Sequence, residues 1–191
     1  MRILVLDGHP DADRARFIHA LADAYAEGAT GAGHQVTRLD VAGLGLPPLR
    51  SAAEWEAEPP EPVRKAQFAI AEAEHIAILY PLWLGDMPAA LKALFEQVLR
   101  PGFAFPAGAQ GLNAGQLKGR SVRVVVTMGM PGPVYRWFFF AHSLRSLERN
   151  ILRFVGFGPV RHTLIGGIGA MKPEKRRAWL DRLRALGAAG A

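Results

Sequence analysis

The sequence predicts a doubly wound α/β fold: a five-stranded parallel sheet in the order 2-1-3-4-5, helices on both faces, in a single domain over 1–191. Three observations carry this. Strand-like and helix-like segments alternate strictly along all 191 residues, and such alternation builds a parallel sheet covered on both sides. Four of the five strand candidates are short apolar or β-branched runs, the composition of strands buried on both faces. The length suits one well-cored domain and is short for two, and five strands in one domain favour this order.

The first strand, 3–6, follows Met1-Arg2, and its four apolar residues end at Asp7, too few for a secretory leader. A helix over about 15–30 places Phe17, Leu21, Ala24 and Gly28 on one face and stops in Gly31-Ala32-Gly33. The second strand, 35–39, is more mixed and is expected nearer an edge. A long connection, 41–60, leads through a Pro- and Glu-rich stretch, 56–62, into a helix over about 62–73. Strand 76–80 runs into a loop rather than a hairpin turn, and Pro88 then opens a helix over 88–99. Proline suits that place because its missing N–H would be unpaired there anyway. After a second long connection, 100–120, come strand 122–127 and a helix over about 134–155. That helix lines up Phe140, Leu144, Leu147, Ile151 and Phe154 at helical spacing. Strand Val160–Ile165 and a basic outer helix, 173–186, complete the chain. Connections as long as 41–60 and 100–120 commonly serve as lids or partner contacts.

Half the residues are hydrophobic and 21% are charged, an ordinary globular balance. With no cysteine there is no disulfide, no thiolate nucleophile and no Cys-ligated metal, which fits a reducing compartment. No apolar run approaches the roughly 20 residues of a membrane helix, so no integral membrane segment and a cytoplasmic location are expected. The net charge of +6 comes from scattered basic residues without a nucleic-acid-binding motif. A solvated basic face is the expectation, and no nucleic-acid partner. No His/Asp/Glu spacing points to a metal site, and there is no GxSxG elbow.

In this strand order a ligand sits over the carboxyl ends of strands one, three and four. The first of those loops, Asp7-Gly-His-Pro-Asp-Ala-Asp-Arg-Ala-Arg-Phe17, leads into a helix start where free N–H groups and the dipole attract phosphate. Gly8 permits a tight turn, His9 can hydrogen-bond a phosphate, and Arg14 and Arg16 can neutralise one that Asp11 and Asp13 oppose. A plain β-α turn with Asp13 as N-cap is an equal reading of the same residues. The second loop, Pro81-Leu82-Trp83-Leu84 and on to Pro88, is a stiff aromatic ledge that suits a flat heteroaromatic ring; burial of Trp83 and Leu84 in the core is the plainer alternative. The third, Thr127-Met128-Gly129-Met130-Pro-Gly-Pro-Val-Tyr135, can present backbone groups to the edge of a ring. The run that follows, Tyr135 to Phe140, is apolar around the whole helix and is expected to be covered by a pocket wall or a second subunit. Rich in apolar surface and poor in acid-base side chains, such a site suits a cofactor that brings its own chemistry.

Taken together, these residues resemble the flavodoxin-like NAD(P)H:quinone oxidoreductases, the family of DT-diaphorase, modulator-of-drug-activity proteins and potassium-efflux ancillary oxidoreductases. The resemblance covers nearly the whole chain. It rests on His9-Pro10, on Pro81-Leu-Trp-Leu with Pro88-Ala-Ala-Leu-Lys92, and on Pro101-Gly-Phe-Ala-Phe105. It continues through Thr127-Met-Gly129 with Tyr135, and through Gly156-Phe157 with Gly166-Gly-Ile-Gly169.

The resemblance implies FAD or FMN as cofactor, NAD(P)H as electron donor, a quinone-like small-molecule acceptor and a homodimer with its sites at the interface. It implies that Pro81, Leu82, Trp83 and Leu84, with Thr127, Met128, Gly129 and Met130, line the isoalloxazine. His9 and the 13–17 turn (Arg14, Arg16, Phe17) would face the ribityl and phosphate end. Tyr135 would sit beside the ring and polarise the acceptor, as the one catalytic side chain. The chain departs from the family pattern at Ala15-Arg16-Phe17-Ile18, where Ser-Phe-Asn is usual, and at Met130, where a second glycine is usual. The usual histidine six residues after the tyrosine is Ala141, with His142 one step late. The altered turn and the long connections favour one alternative: a regulatory or ancillary protein of this fold that binds flavin weakly or not at all.

Overall fold

A computed structural model describes residues 1–106 and 115–191. Five parallel strands form one sheet in the order β2-β1-β3-β4-β5, with β1 Arg2–Asp7, β2 Gln35–Asp40, β3 His75–Pro81, β4 Ser121–Thr127 and β5 Val160–Ile165. This is the expected topology. β1 and β3 pair from Ile3↔His75 to Asp7↔Leu79, and β3 and β4 from His75↔Ser121 to Pro81↔Thr127. The carboxyl ends of β1, β3 and β4 therefore come level with one another.

Alternation along the central strands splits the core in two. Leu4, Leu6, Ile76, Ile78, Tyr80, Val122, Val124 and Val126 face α3 (Glu61–Glu72), α4 (Ala89–Val98) and the 134–155 segment. Ile3, Val5, Ala77, Leu79 and Val125 face α1 (Phe17–Gly31) and α6 (Pro173–Ala188). Both faces of the three central strands are thus dry, which is why β1, β3 and β4 read as largely apolar runs. β2, on the edge, is largely exposed, as its mixed composition predicts. The 41–60 connection folds back and forms the short α2, Ala52–Glu56. Buried Arg100 ties it down, donating to the carbonyls of Glu54 (2.8 Å) and Ala57 (3.0 Å). The middle of the 100–120 connection, 107–114, lies outside the described residues.

One element differs from its expectation. The 134–155 segment is not a continuous helix but a π-helical turn (Val134–Phe138), a break, α5 (His142–Ser146) and a second π-helical stretch (Leu147–Leu152). Phe140 and Ala141 at the break have φ of 52° and 48°. Leu144 and Leu147 are buried as the periodicity required, whereas Phe140 and Phe154 are exposed. The break also turns Trp137 and Phe138 outward, at 69% and 74% exposure, so a single copy of the chain leaves them uncovered.

Candidate active site

The three loops over the strand ends do meet. The ring of His9, after β1, packs edge-on against Trp83, after β3, with centroids 5.5 Å apart. The Leu82 N–H donates to the Thr127 carbonyl at 2.7 Å, joining the second loop to the third. The third loop is anchored from behind by the turn after β5. Met128 donates to the Ile165 carbonyl, and Gly167 to that of Met130. A Cβ on Gly166 would lie 2.2 Å from the Gly132 nitrogen, so only glycine permits that approach.

The ledge contains a tight turn that has no local sequence signature. Trp83 and Asp86 exchange backbone hydrogen bonds of 2.8 and 2.9 Å, with Leu84 (φ 47°) and Gly85 (φ 85°) between them. Positive φ at both central positions is the pattern of hairpin turns. Leucine there is strained by roughly 1–2 kcal/mol. Leu84 gains no burial in return; its side chain is fully exposed and Trp83 is 47% exposed. Core burial of these two residues is excluded in the single chain. In β3, just before the ledge, the buried Tyr80 hydroxyl has no partner among the described residues, and its burial raises its pKa so that it stays neutral.

The turn after β1 is a ladder of side chains capping N–H groups two residues on. Asp7 accepts from His9, His9 Nδ1 from Asp11, Asp11 from Asp13, and Asp13 from Ala15, at 2.9–3.2 Å. Helix α1 begins after Arg16, which makes no side-chain cap, so Asp13 is not the N-cap. The N–H groups of Ala12, Arg14, Phe17 and Ile18 make no hydrogen bond to another described residue. Because His9 Nδ1 accepts, its proton sits on Nε2. Burial, with His19 nearby, pushes the His9 pKa down and keeps that ring neutral.

Arg14 and Arg16 are not free cations. Arg14 reaches forward along α1 to both oxygens of Asp23 at 2.7 and 2.6 Å, which raises its pKa. Arg16 pairs with Asp11 at 2.7 Å. The two carboxylates next in line take up the charge that was expected to meet a phosphate. Phe17 lies under the Arg176 guanidinium, 4.9 Å from the ring centre. Tyr135 is buried; its hydroxyl bonds Ser143 Oγ at 2.8 Å and accepts from the Leu144 N–H at 3.2 Å. It therefore braces the break in the 134–155 segment and does not present its hydroxyl to the ledge. His142 is exposed beside Phe140.

Sequence reasoning missed a buried pair under this turn. His19 Nδ1 lies 2.5 Å from Asp7 Oδ2. The available signal was an acid ending a strand that the topology buries, since such an acid requires a partner.

A family model described as flavodoxin-like fold matches residues 1–186, and the chain belongs to that family. The chain is 27% identical to an uncharacterized NAD(P)H oxidoreductase of Haemophilus influenzae, over 95% of this chain and 91% of the relative. It is 28% identical to an FMN-dependent NADH:quinone oxidoreductase of Nitratidesulfovibrio vulgaris, over 92% and 91% of the two chains. Among solved structures, the NAD(P)H:quinone oxidoreductase of Methanothermobacter marburgensis superposes with a TM-score of 0.82 at 26% identity. It covers 98% of both chains.

Proposed function

We propose that this chain is a flavin-dependent NAD(P)H oxidoreductase that delivers two electrons to a quinone or a similar electrophilic small molecule. The observation that carries this reading is the ledge. Two large apolar residues, one on a strained backbone, are held in solvent at the strand ends where this fold takes its ligands. The donor set fits a flavin: an apolar surface for the ring, backbone N–H groups of Gly129 and Met130 for its polar edge, and His9 Nε2–H for the ribityl or phosphate end. The N–H groups free at Ala12, Arg14, Phe17 and Ile18 are available to a phosphate.

A bound flavin supplies the redox chemistry, taking hydride from NAD(P)H and returning two electrons to the acceptor. The chain's own residues bind and orient. Trp83 and Leu84 give an apolar seat, and the 127–130 backbone fixes the edge of the ring. Two of the similar proteins above are named as quinone oxidoreductases, one of them FMN-dependent, which favours FMN over FAD. A reduced nicotinamide pool is a cytoplasmic resource, and the reading places the protein there.

The same reading makes the protein a single-domain homodimer. Support comes from Trp137 and Phe138, exposed in one copy, and from an apolar cavity of about 600 Å³ between Trp55, Phe95, Phe105 and Phe154. In sedimentation, Trp137→Ser with Phe138→Ser is expected to convert a dimer to a monomer. A monomeric unmodified protein would refute the dimer.

The decisive experiment is the visible spectrum of the purified protein, followed by NAD(P)H oxidation with a benzoquinone. Flavin absorbance and acceptor-dependent oxidation are expected. A colourless protein that neither takes up added FMN nor turns over sinks the proposal.

A further inference from the structure

Asp7 and His19 are buried, at 0% and 3% exposure, and are bonded to each other at the floor of the turn after β1. Each partner also holds one backbone group of the turn. Asp7 Oδ1 accepts from the His9 N–H at 3.2 Å, and His19 Nε2 donates to the Asp11 carbonyl at 2.9 Å. A carbonyl oxygen can only accept, so Nε2 carries a hydrogen and Nδ1 shares one with the Asp7 carboxylate. Residues 9 and 11 are thereby fixed from below. His9 extends the same assembly sideways, its ring 5.2 Å from His19 and 5.5 Å from Trp83. A buried acid and imidazole stabilise a core less well than apolar residues of similar size. Neighbouring Val5 and Leu6 fill the equivalent depth with hydrocarbon. The pair is therefore a device for geometry and not for core stability.

We propose that Asp7 and His19 are positioning residues for the flavin phosphate: they hold the 9–13 turn in the shape that leaves the Ala12 and Arg14 N–H groups open. They take over a task that Arg14 and Arg16, tied to Asp23 and Asp11, do not perform. The assignment rests on the flavin reading above.

The test compares FMN with riboflavin, which has the same ring and ribityl chain but no phosphate. Affinities of the full chain are measured by quenching of flavin fluorescence for the unmodified protein, Asp7→Asn, His19→Asn and His19→Gln. The asparagine at 19 retains a donor near the Nδ1 position, towards Asp7 only. The glutamine retains one near Nε2, towards the Asp11 carbonyl. Loss of a hydrogen bond to a charged partner corresponds to about tenfold in affinity. FMN binding is expected to weaken by about that factor in Asp7→Asn and His19→Asn, with riboflavin nearly unchanged and part of the FMN affinity recovered in His19→Gln. Equal losses for the two flavins, or unchanged FMN binding, would overturn the assignment. If the variants do not fold, the unmodified protein decides. With isotope-labelled histidine, the His19 ring signals should move on addition of FMN and stay in place with riboflavin. The same response to both ligands refutes the role. An unmodified chain that binds neither flavin overturns the flavin reading and this assignment with it, whereas full binding by every variant overturns the positioning role alone.

Discussion

Leu84 and Trp83 show how one residue's placement separates stability from function. Each exposes apolar surface that an ordinary fold would bury, and Leu84 does so at a φ of 47°. Their place was legible because two bulky apolar residues stand between prolines just past a buried strand. The turn that shapes them was not, because Leu-Gly lacks the Asn-Gly or Asp-Gly signature of such turns. Asp7 and His19 were missed because the bond between them depends on α1 folding back over β1. Since Trp83 is half exposed, Trp83→Ala is expected to change unfolding free energy by less than about 1 kcal/mol. Loss of ring stacking, at about 1–3 kcal/mol, should weaken flavin binding by roughly tenfold or more. Urea unfolding and fluorescence titration measure the two separately. Unchanged flavin affinity would remove Trp83 from the site.

Among the elements, the strands and most helices followed from periodicity, whereas the 134–155 segment did not. Its apolar residues recur at helical spacing, yet nothing local marks the two left-handed residues at the break. They persist because Tyr135 and Ser143 clamp the two sides together. Ala141→Gly relieves the strain at φ 48° without removing any clamp atom. The variant is expected to be more stable by about 1 kcal/mol in urea unfolding, and a loss of stability would show that the backbone there is not strained. The α1–α6 crossing makes the opposite case. A Cβ on Gly28 would lie 1.9 Å from the Arg184 carbonyl oxygen, and one on Gly187 2.0 Å from that of Tyr25. Alanine gains about 1 kcal/mol of helix propensity over glycine, but here the two backbones would have to separate. Gly28→Ala is therefore expected to destabilise by about 2 kcal/mol or more. A neutral result in the same assay would mean that the helices can slide apart freely.

For the molecule as a whole, the informative group is at the end of the sheet away from the site. His75 opens β3, its Nε2 lies 2.9 Å from the Tyr25 hydroxyl oxygen of α1, and its Nδ1 meets Ser121 Oγ of β4 at 2.7 Å. The Tyr25 hydroxyl donates to the Ala191 carbonyl at 3.2 Å, so two strands, the first helix and a residue after α6 are joined around one imidazole. Burial, and then the charge of Arg123, pushes the His75 pKa down from 6.5 to about 4. In the unfolded chain His75 takes up its proton near pH 6.5, while the folded chain resists until about pH 4. The unfolded state therefore binds more protons between those values, and stability must fall as pH drops through that window. The contribution is complete above 6.5 and is lost towards 4, amounting to at most about 3 kcal/mol. His9, also lowered, adds to the same trend. His75→Gln removes the titration while retaining polar atoms for Tyr25 and Ser121. Between pH 7 and 4.5 the unmodified protein should lose about 2 kcal/mol more stability than this variant, as measured by denaturant unfolding at each pH. Parallel pH profiles for the two proteins would show that His75 does not link proton uptake to the fold.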